Sequence, residues 1–253
     1  MRIVSLVPSL TKTICEFGLA DQIVGITSFC VDPPDLWRRA QRVGGTKDPN
    51  IQAIYELAPT HVVVNSEENR DIDIDRLKMN LNVLNTFPKS PRDVPQLLTQ
   101  MGQFLSCENV AALCSSACER AIAQIGEASG EKIFKGKKFL YLIWRDPWMA
   151  AGRDTYISRF LEMVGLENVL SSDERYPVID PSSFAPGSVD IVLMSSEPWP
   201  FRKRDAEALA SISGPRNWEV FWIDGKAMSW YGSETVTAIE TWLKQTPPVR
   251  RLI

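Results

Sequence analysis

The sequence predicts an α/β protein made of two lobes with parallel sheets, joined by a single long helix. Three observations carry that expectation. Short apolar runs alternate with helix-patterned stretches, the order that gives parallel strands with helical crossovers. The same order, at similar spacing, occurs in both halves of the chain, which points to duplicated lobes. The halves are separated by an alanine-rich stretch from Glu108 to Ala128 that is nearly free of helix breakers,. These observations set an N-terminal lobe over 1–105, a connecting helix over 106–132 and a C-terminal lobe over 133–253.

The elements follow in order. Ile3 to Val7 reads as a first strand, and "SLTKTICEFGLA" as a helix with Ser9 or Thr11 as N-cap and Gly18 as its stop,. "QIVGIT" is a second strand. "RVGGTKDPN" reads as a turn before the helix "NIQAIYELAP"; its Gly44-Gly45-Thr46-Lys47 lacks the full pattern of a phosphate loop,. "THVVVNSEENRD" is a valine-rich strand opened by His61 and followed by Ser66-Glu67. Pro91 and Pro95 suit the first turn of a helix,. About 21 residues of the connecting stretch would make a rod of roughly 31 Å, stiffer than a Gly/Ser linker. In the second half, Phe139 to Trp144 is a strand and "TYISRFLEMVGLENVL" a helix with apolar Ile157, Phe160, Leu161 and Val164, stopped by Gly165 and followed by a short strand. "VDIVLMSSEPWPF" repeats the strand-Ser-Glu order at Ser196-Glu197, and "WEVFWID" is the last apolar run.

Bulk properties exclude several classes. The chain has 253 residues, 44% apolar and 23% charged, with a net charge of -3. It has no basic run that would track a nucleic acid, and "FRKRD" reads as a solvated helix start,. No apolar run is long enough for membrane insertion, and none near Met1 has signal-peptide character,. The expectation is a cytoplasmic protein as written, or a periplasmic one if a signal was removed. Five cysteines, an odd number, fit free thiols better than a disulfide framework,. Cys114 and Cys118 share a helix face but make a weak metal signal, and no metal site is expected,. The single histidine, His61, opens a strand rather than lying in a loop, so no catalytic triad can be assembled and no catalytic residue is assigned,.

Ligands of open parallel sheets bind outside the carboxyl ends of strands. The loops to collect are therefore "PSLTKT" with Ser9, "TSFCVDPP", "NSEENR" with Glu67 and Glu68, "WRDPWMAAGRDT", "SSEPWPFRKR" and "GKAMSWYGSET". They hold Trp144, Trp148, Met149, Trp199, Trp230 and Tyr231, so four of the eight tryptophans fall at strand exits. Trp242, by contrast, lies within a periodic helix. Rings gathered with a few polar groups fit a ligand site. Arg145 is a polar member of the set, or pairs locally with Asp146.

The stretches "RIVSLVPSLTKTICEFGLADQIVGIT", "RVGGTKDPN", "APTHVVVNSEENR", "LIWRDPWMAAGRDTYISRFLEMVGLENV" and "SSEPWPF" together resemble the helical-backbone metal-receptor superfamily. These are class III substrate-binding proteins of ABC importers for cobalamin, haem and iron-siderophores. The likeness is greatest to the cobalamin-binding branch and covers nearly the whole chain. It implies two Rossmann-like lobes bridged by one backbone helix, with cobalamin, another corrinoid or a related metal chelate clamped between them. The chelate would be a ligand rather than a covalent cofactor. By position, the implied ligand contacts are Ser9, Glu67, Glu68, Trp144, Arg145, Trp148, Met149, Trp199, Trp230 and Tyr231, while Glu68 and Glu197 would dock an ABC permease. The family pattern carries His-Pro where this chain has Asp32-Pro33, which removes a metal ligand near Cys30 and leaves Tyr231 or His61 as axial groups for a haem. The competing expectations are a cytoplasmic corrinoid-handling enzyme or sensor on the same fold, and an interaction protein with a vestigial cleft.

Overall fold

The computed structural model describes all residues except 128–133, 172–173, 215–216 and 245–248. The chain forms two α/β units. The first comprises 1–88, 93–119 and 231–235, and the second 89–92, 120–230 and 236–253.

The first unit opens with β1 (Ile3–Ser5), α1 (Pro8–Glu16), β2 (Ile23–Ile26), α2 (Leu36–Arg39), β3 (Gln41–Arg42), α3 (Ile51–Glu56), β4 (His61–Asn65), α4 (Asp71–Lys78) and β5 (Val83–Thr86). α5 (Val94–Phe104) and the start of α6 (Glu108–Glu127) also belong to it. Its sheet is wholly parallel, in the order β3-β2-β1-β4-β5. Val4, Leu6, Val62 and Val64 lie on one face and pack with Ile54, Ile74 and Leu77. The near-continuous apolar runs follow from this burial, because a parallel sheet is covered on both faces. The start of α1 differs from the expected side-chain cap. Val7 is the N-cap and Pro8 the first helical residue, while the Thr11 hydroxyl donates back to the Val7 carbonyl at 2.9 Å. Proline needs no capping partner there because its missing N–H would have been an orphan. Asn50 caps α3 through a bond from the Ala53 N–H, so "RVGGTKDPN" is a turn into a helix.

α6 is one continuous helix of 20 residues, about 30 Å long,. The partition between the units falls inside it, between residues 119 and 120. The part of the expected connecting helix over 128–132, including Ala128, lies outside the described residues.

The second unit continues with β6 (Lys138–Trp144), β7 (Met149–Ala150), α7 (Tyr156–Met163), β8 (Glu167–Asn168), β9 (Ile191–Ser195), α8 (Lys203–Ser213), β10 (Glu219–Ile223), α9 (Gly225–Ser229), α10 (Glu234–Leu243) and β11 (Val249–Arg251). Its sheet runs β11-β10-β9-β6-β7, with β8 pairing the start of β6. β8, β6, β9 and β10 are parallel, and β7 and β11 add antiparallel edges that the sequence did not announce. Strands of two or three residues carry too little pattern to be read. The core joins Leu140, Leu142, Val192, Met194 and Val220 to Phe201, Ala206 and Leu209.

The two sheets share one plan. In the first, the chain steps from β1 to β2 on one side, then to β4 and β5 on the other. In the second it steps from β6 to β8, then to β9 and β10. The order reverses between β1 and β4 and again between β6 and β9, so Ser66-Glu67 and Ser196-Glu197 occupy equivalent strand exits. Such switch points are where open α/β sheets bind ligands.

Candidate functional site

In the first unit, the exits of β1, β2 and β4 bring Ser9, Cys30, Glu67 and Glu68 to one sheet end. The Thr11 hydroxyl bonds Ser5 at 2.7 Å and lies 3.1 Å from the buried Cys30 thiol, which is also 3.2 Å from Thr27. Asn65 organises the β4 exit by accepting the N–H groups of Glu67 and Glu68. Lys47 donates to the Glu67 carbonyl at 2.6 Å.

Residues 231–235 come from far along the chain yet belong to this unit. Tyr231 is 4% exposed and donates its hydroxyl to Glu68 Oε1 at 3.0 Å. Burial, reinforced by the neighbouring Glu68 carboxylate, pushes this phenol well above its ordinary range, while Ser9 acts in the opposite sense. Gly232 has φ +95, and a Cβ there would come within 2.3 Å of Thr13 Oγ1. Glycine is therefore what allows the chain to lie against α1. The Ser233 N–H reaches Thr13 Oγ1 at 3.1 Å, and Lys12 pairs with Glu234 at 2.5 Å and with Asp32 at 3.6 Å.

In the second unit, the equivalent exits carry Trp144 and Trp199. Their rings meet edge to face, with centroids 5.2 Å apart at 69°. Trp144 is 38% exposed, which is high for a ring of its size. Trp230 is 9% exposed and donates its indole N–H to Glu197 Oε1 at 3.2 Å, while Lys226 Nζ lies 4.6 Å from the ring centre. The sequence grouped Trp148 with the rings at strand exits. It packs in the core, 8% exposed and stacked on Phe201 with centroids 6.0 Å apart and planes 4° from parallel. The turn after β6 folds Trp148 back over the sheet, where it covers more apolar area than at the rim. Met149 starts β7 and pairs with Trp144.

Arg145 has the local partner considered from the sequence, with Nε 3.8 Å from Asp146. Its shorter ion pair is with Asp205 on α8, which the sequence did not reveal because the two are 60 residues apart. Asp205 also accepts the Arg202 N–H at 2.8 Å, capping α8. Arg145 is thereby tied into the fold, and its guanidinium lies over Trp148 at 5.5 Å.

Neither of the expected docking acids stands free. Glu68 accepts from Tyr231 and Glu197 from Trp230, each within its own unit. Glu197 is pushed above the ordinary glutamate range, first by burial, with Asp224 adding and Lys226, Trp230 and Ser229 opposing. The folded state thus holds this proton more tightly than the unfolded chain. Its contribution is fully present at low pH and is lost as pH rises from the ordinary glutamate range through the raised value. Relative to Glu197→Gln, the parent should lose stability over that interval. Urea unfolding of both proteins at a series of pH values checks this, and a gap that stays flat or changes in the parent's favour would count against it.

Among the described residues, no group of three or more His, Cys, Asp or Glu side chains could hold a metal ion. All five cysteines are unpaired. No described helix is long and apolar enough to cross a membrane.

A fold of two α/β units with aromatic and acidic groups at their switch points defines a class, and comparison with known proteins places the chain in it. Residues 3–213 match the family described as periplasmic binding protein, and the chain belongs to that family. The vitamin B12-binding protein of Pectobacterium carotovorum subsp. carotovorum is 18% identical over 171 residues, covering 67% of this chain and 62% of that protein. The chain thus matches somewhat less than two thirds of that relative's length. Among solved structures, the periplasmic vitamin B12 binding protein BtuF of Vibrio cholerae has a TM-score of 0.75 at 17% identity. The periplasmic heme-binding protein RhuT from Roseiflexus sp. RS-1 has a TM-score of 0.81 at 19% identity. Each likeness covers 97% of both chains. At such identities they establish the shared fold.

Proposed function

We propose that this chain is a solute-binding protein that takes cobalamin, another corrinoid or a related metal chelate for delivery to an ABC permease. The observation that carries this reading is the touching pair of the exposed Trp144 and the half-buried Trp199 at the switch-point exit of the second sheet. A flat macrocycle offers a large apolar face, and rings cover such a face at low entropic cost. The named ligands of the relatives, vitamin B12 and heme, are of this kind. In the first unit, Ser9, Glu67 and Glu68 are the polar groups at the corresponding strand exits.

The structure favours a ligand that brings its own axial groups. His61 opens β4, at the strand end away from the exits, and packs against Phe104 with centroids 4.9 Å apart. Tyr231 commits its hydroxyl to Glu68. A corrinoid with its own axial base makes no demand on either residue, which supports cobalamin over a haem ligated by the protein. Family membership supports a periplasmic place of work rather than the cytoplasmic one read from the first residues, and fractionation of producing cells tests that choice.

The direct test is titration of the parent with cyanocobalamin, cobinamide, hemin and a ferric siderophore, followed by tryptophan fluorescence and calorimetry. Saturable quenching by a corrinoid is the expected result. If none of the four binds, the proposal fails and a corrinoid-handling enzyme or sensor on the same fold becomes the better reading.

A further inference from the structure

The family resemblance implied a docking role for Glu197, yet its carboxylate is engaged within its own unit. Its carboxylate accepts the Trp230 indole N–H, and Ser229 Oγ lies 3.3 Å away. α9 packs so closely that a Cβ on Gly225 would lie 2.5 Å from Glu197 Cγ. The backbone beside Glu197 is held as well. Ser195 Oγ, which receives the Tyr141 hydroxyl at 3.1 Å, also receives the Glu197 N–H at 3.3 Å. Two residues further on, the Trp199 N–H reaches the Ile143 carbonyl at 3.3 Å, which brings its ring to Trp144. The turn over 196–199 thus has backbone ties at both ends and side-chain ties from Ser196 Oγ, which accepts the Gly225 N–H at 2.9 Å, and from the Glu197 carboxylate, which alone reaches Trp230.

We propose that Glu197 is a positioning residue that, by accepting the Trp230 N–H, sets the turn on which Trp199 meets Trp144 and so shapes the aromatic surface for the ligand. Trp230 then acts through Glu197 and needs no ligand contact of its own, in keeping with its burial. This rests on the solute-binding reading, but its geometric half stands without any ligand.

Edge-to-face tryptophans at this separation couple electronically and give an exciton couplet in far-ultraviolet circular dichroism. Trp144→Phe should abolish the couplet and so assign it. Glu197→Ala should weaken or invert it and lower affinity for cyanocobalamin or hemin about tenfold, the size of one charge-assisted hydrogen bond. Glu197→Gln keeps an acceptor oxygen and should restore both signals. Trp230→Phe keeps an aromatic ring, loses the N–H and should reproduce Glu197→Ala, so it decides the matter if the alanine variant does not fold. A couplet unchanged in Glu197→Ala and Trp230→Phe, or a glutamine variant as impaired as the alanine, overturns the proposal. If the couplet responds as stated but the parent binds neither chelate, the solute-binding reading fails and the positioning role survives.

Discussion

Arg145→Ala is expected to cost about 3 kcal/mol of stability, the range for removing one partner of a buried ion pair. For a protein of this size that is a fall of about 6–12 °C in Tm. The Asp205 side chain is 1% exposed, and without Arg145 its remaining support is the α8 N-terminus, through the Arg202 N–H. The guanidinium cover on Trp148 goes at the same time. Replacing both partners should be milder than replacing one. Arg145→Ala with Asp205→Asn keeps an acceptor for the cap and removes the stranded charge, so it should recover part of the loss. The exposed Arg204 on the same helix, changed to Ala, should stay within about 0.5 kcal/mol of the parent. Urea unfolding of the four proteins measures the set. A single Arg145 variant as stable as the Arg204 variant would show that the ion pair contributes nothing.

The second large effect concerns binding. Trp144→Ala should weaken corrinoid affinity by about 2 kcal/mol, or roughly 30-fold, as expected for a central aromatic anchor. Trp199→Ala should be comparable, and the double variant should lose less than the sum of the two, because the rings touch,. Trp242→Phe should bind like the parent, since that ring packs against Phe134 and Phe160 in the second unit. Fluorescence titration of the parent and the four variants with cyanocobalamin reads the outcome. Equal affinities throughout would place the ligand elsewhere.

The parallel strands and the helices around them were legible because buried apolar runs and 3.6-residue periodicity are local properties. The strand exits were legible for the same reason, since each apolar run stops at polar, proline or glycine residues. Partners were not. Asp205 as the mate of Arg145, the Tyr231 bond to Glu68, and the stacking of Trp148 on Phe201 depend on which distant segment arrives beside which. Pattern along the chain carries no record of that. The same holds for residues 231–235, which the reading by halves assigned to the C-terminal lobe but which cluster with the N-terminal unit.

That return has a consequence for dissection. A fragment ending within α6 looks like a self-sufficient N-terminal half, yet it would leave Glu68 without the Tyr231 hydroxyl, Thr13 without Ser233 and Lys12 without Glu234. The segment that completes it is encoded more than a hundred residues downstream. Synthesis from the ribosome therefore delivers the first unit unfinished, and its last contacts form only when nearly the whole chain has emerged.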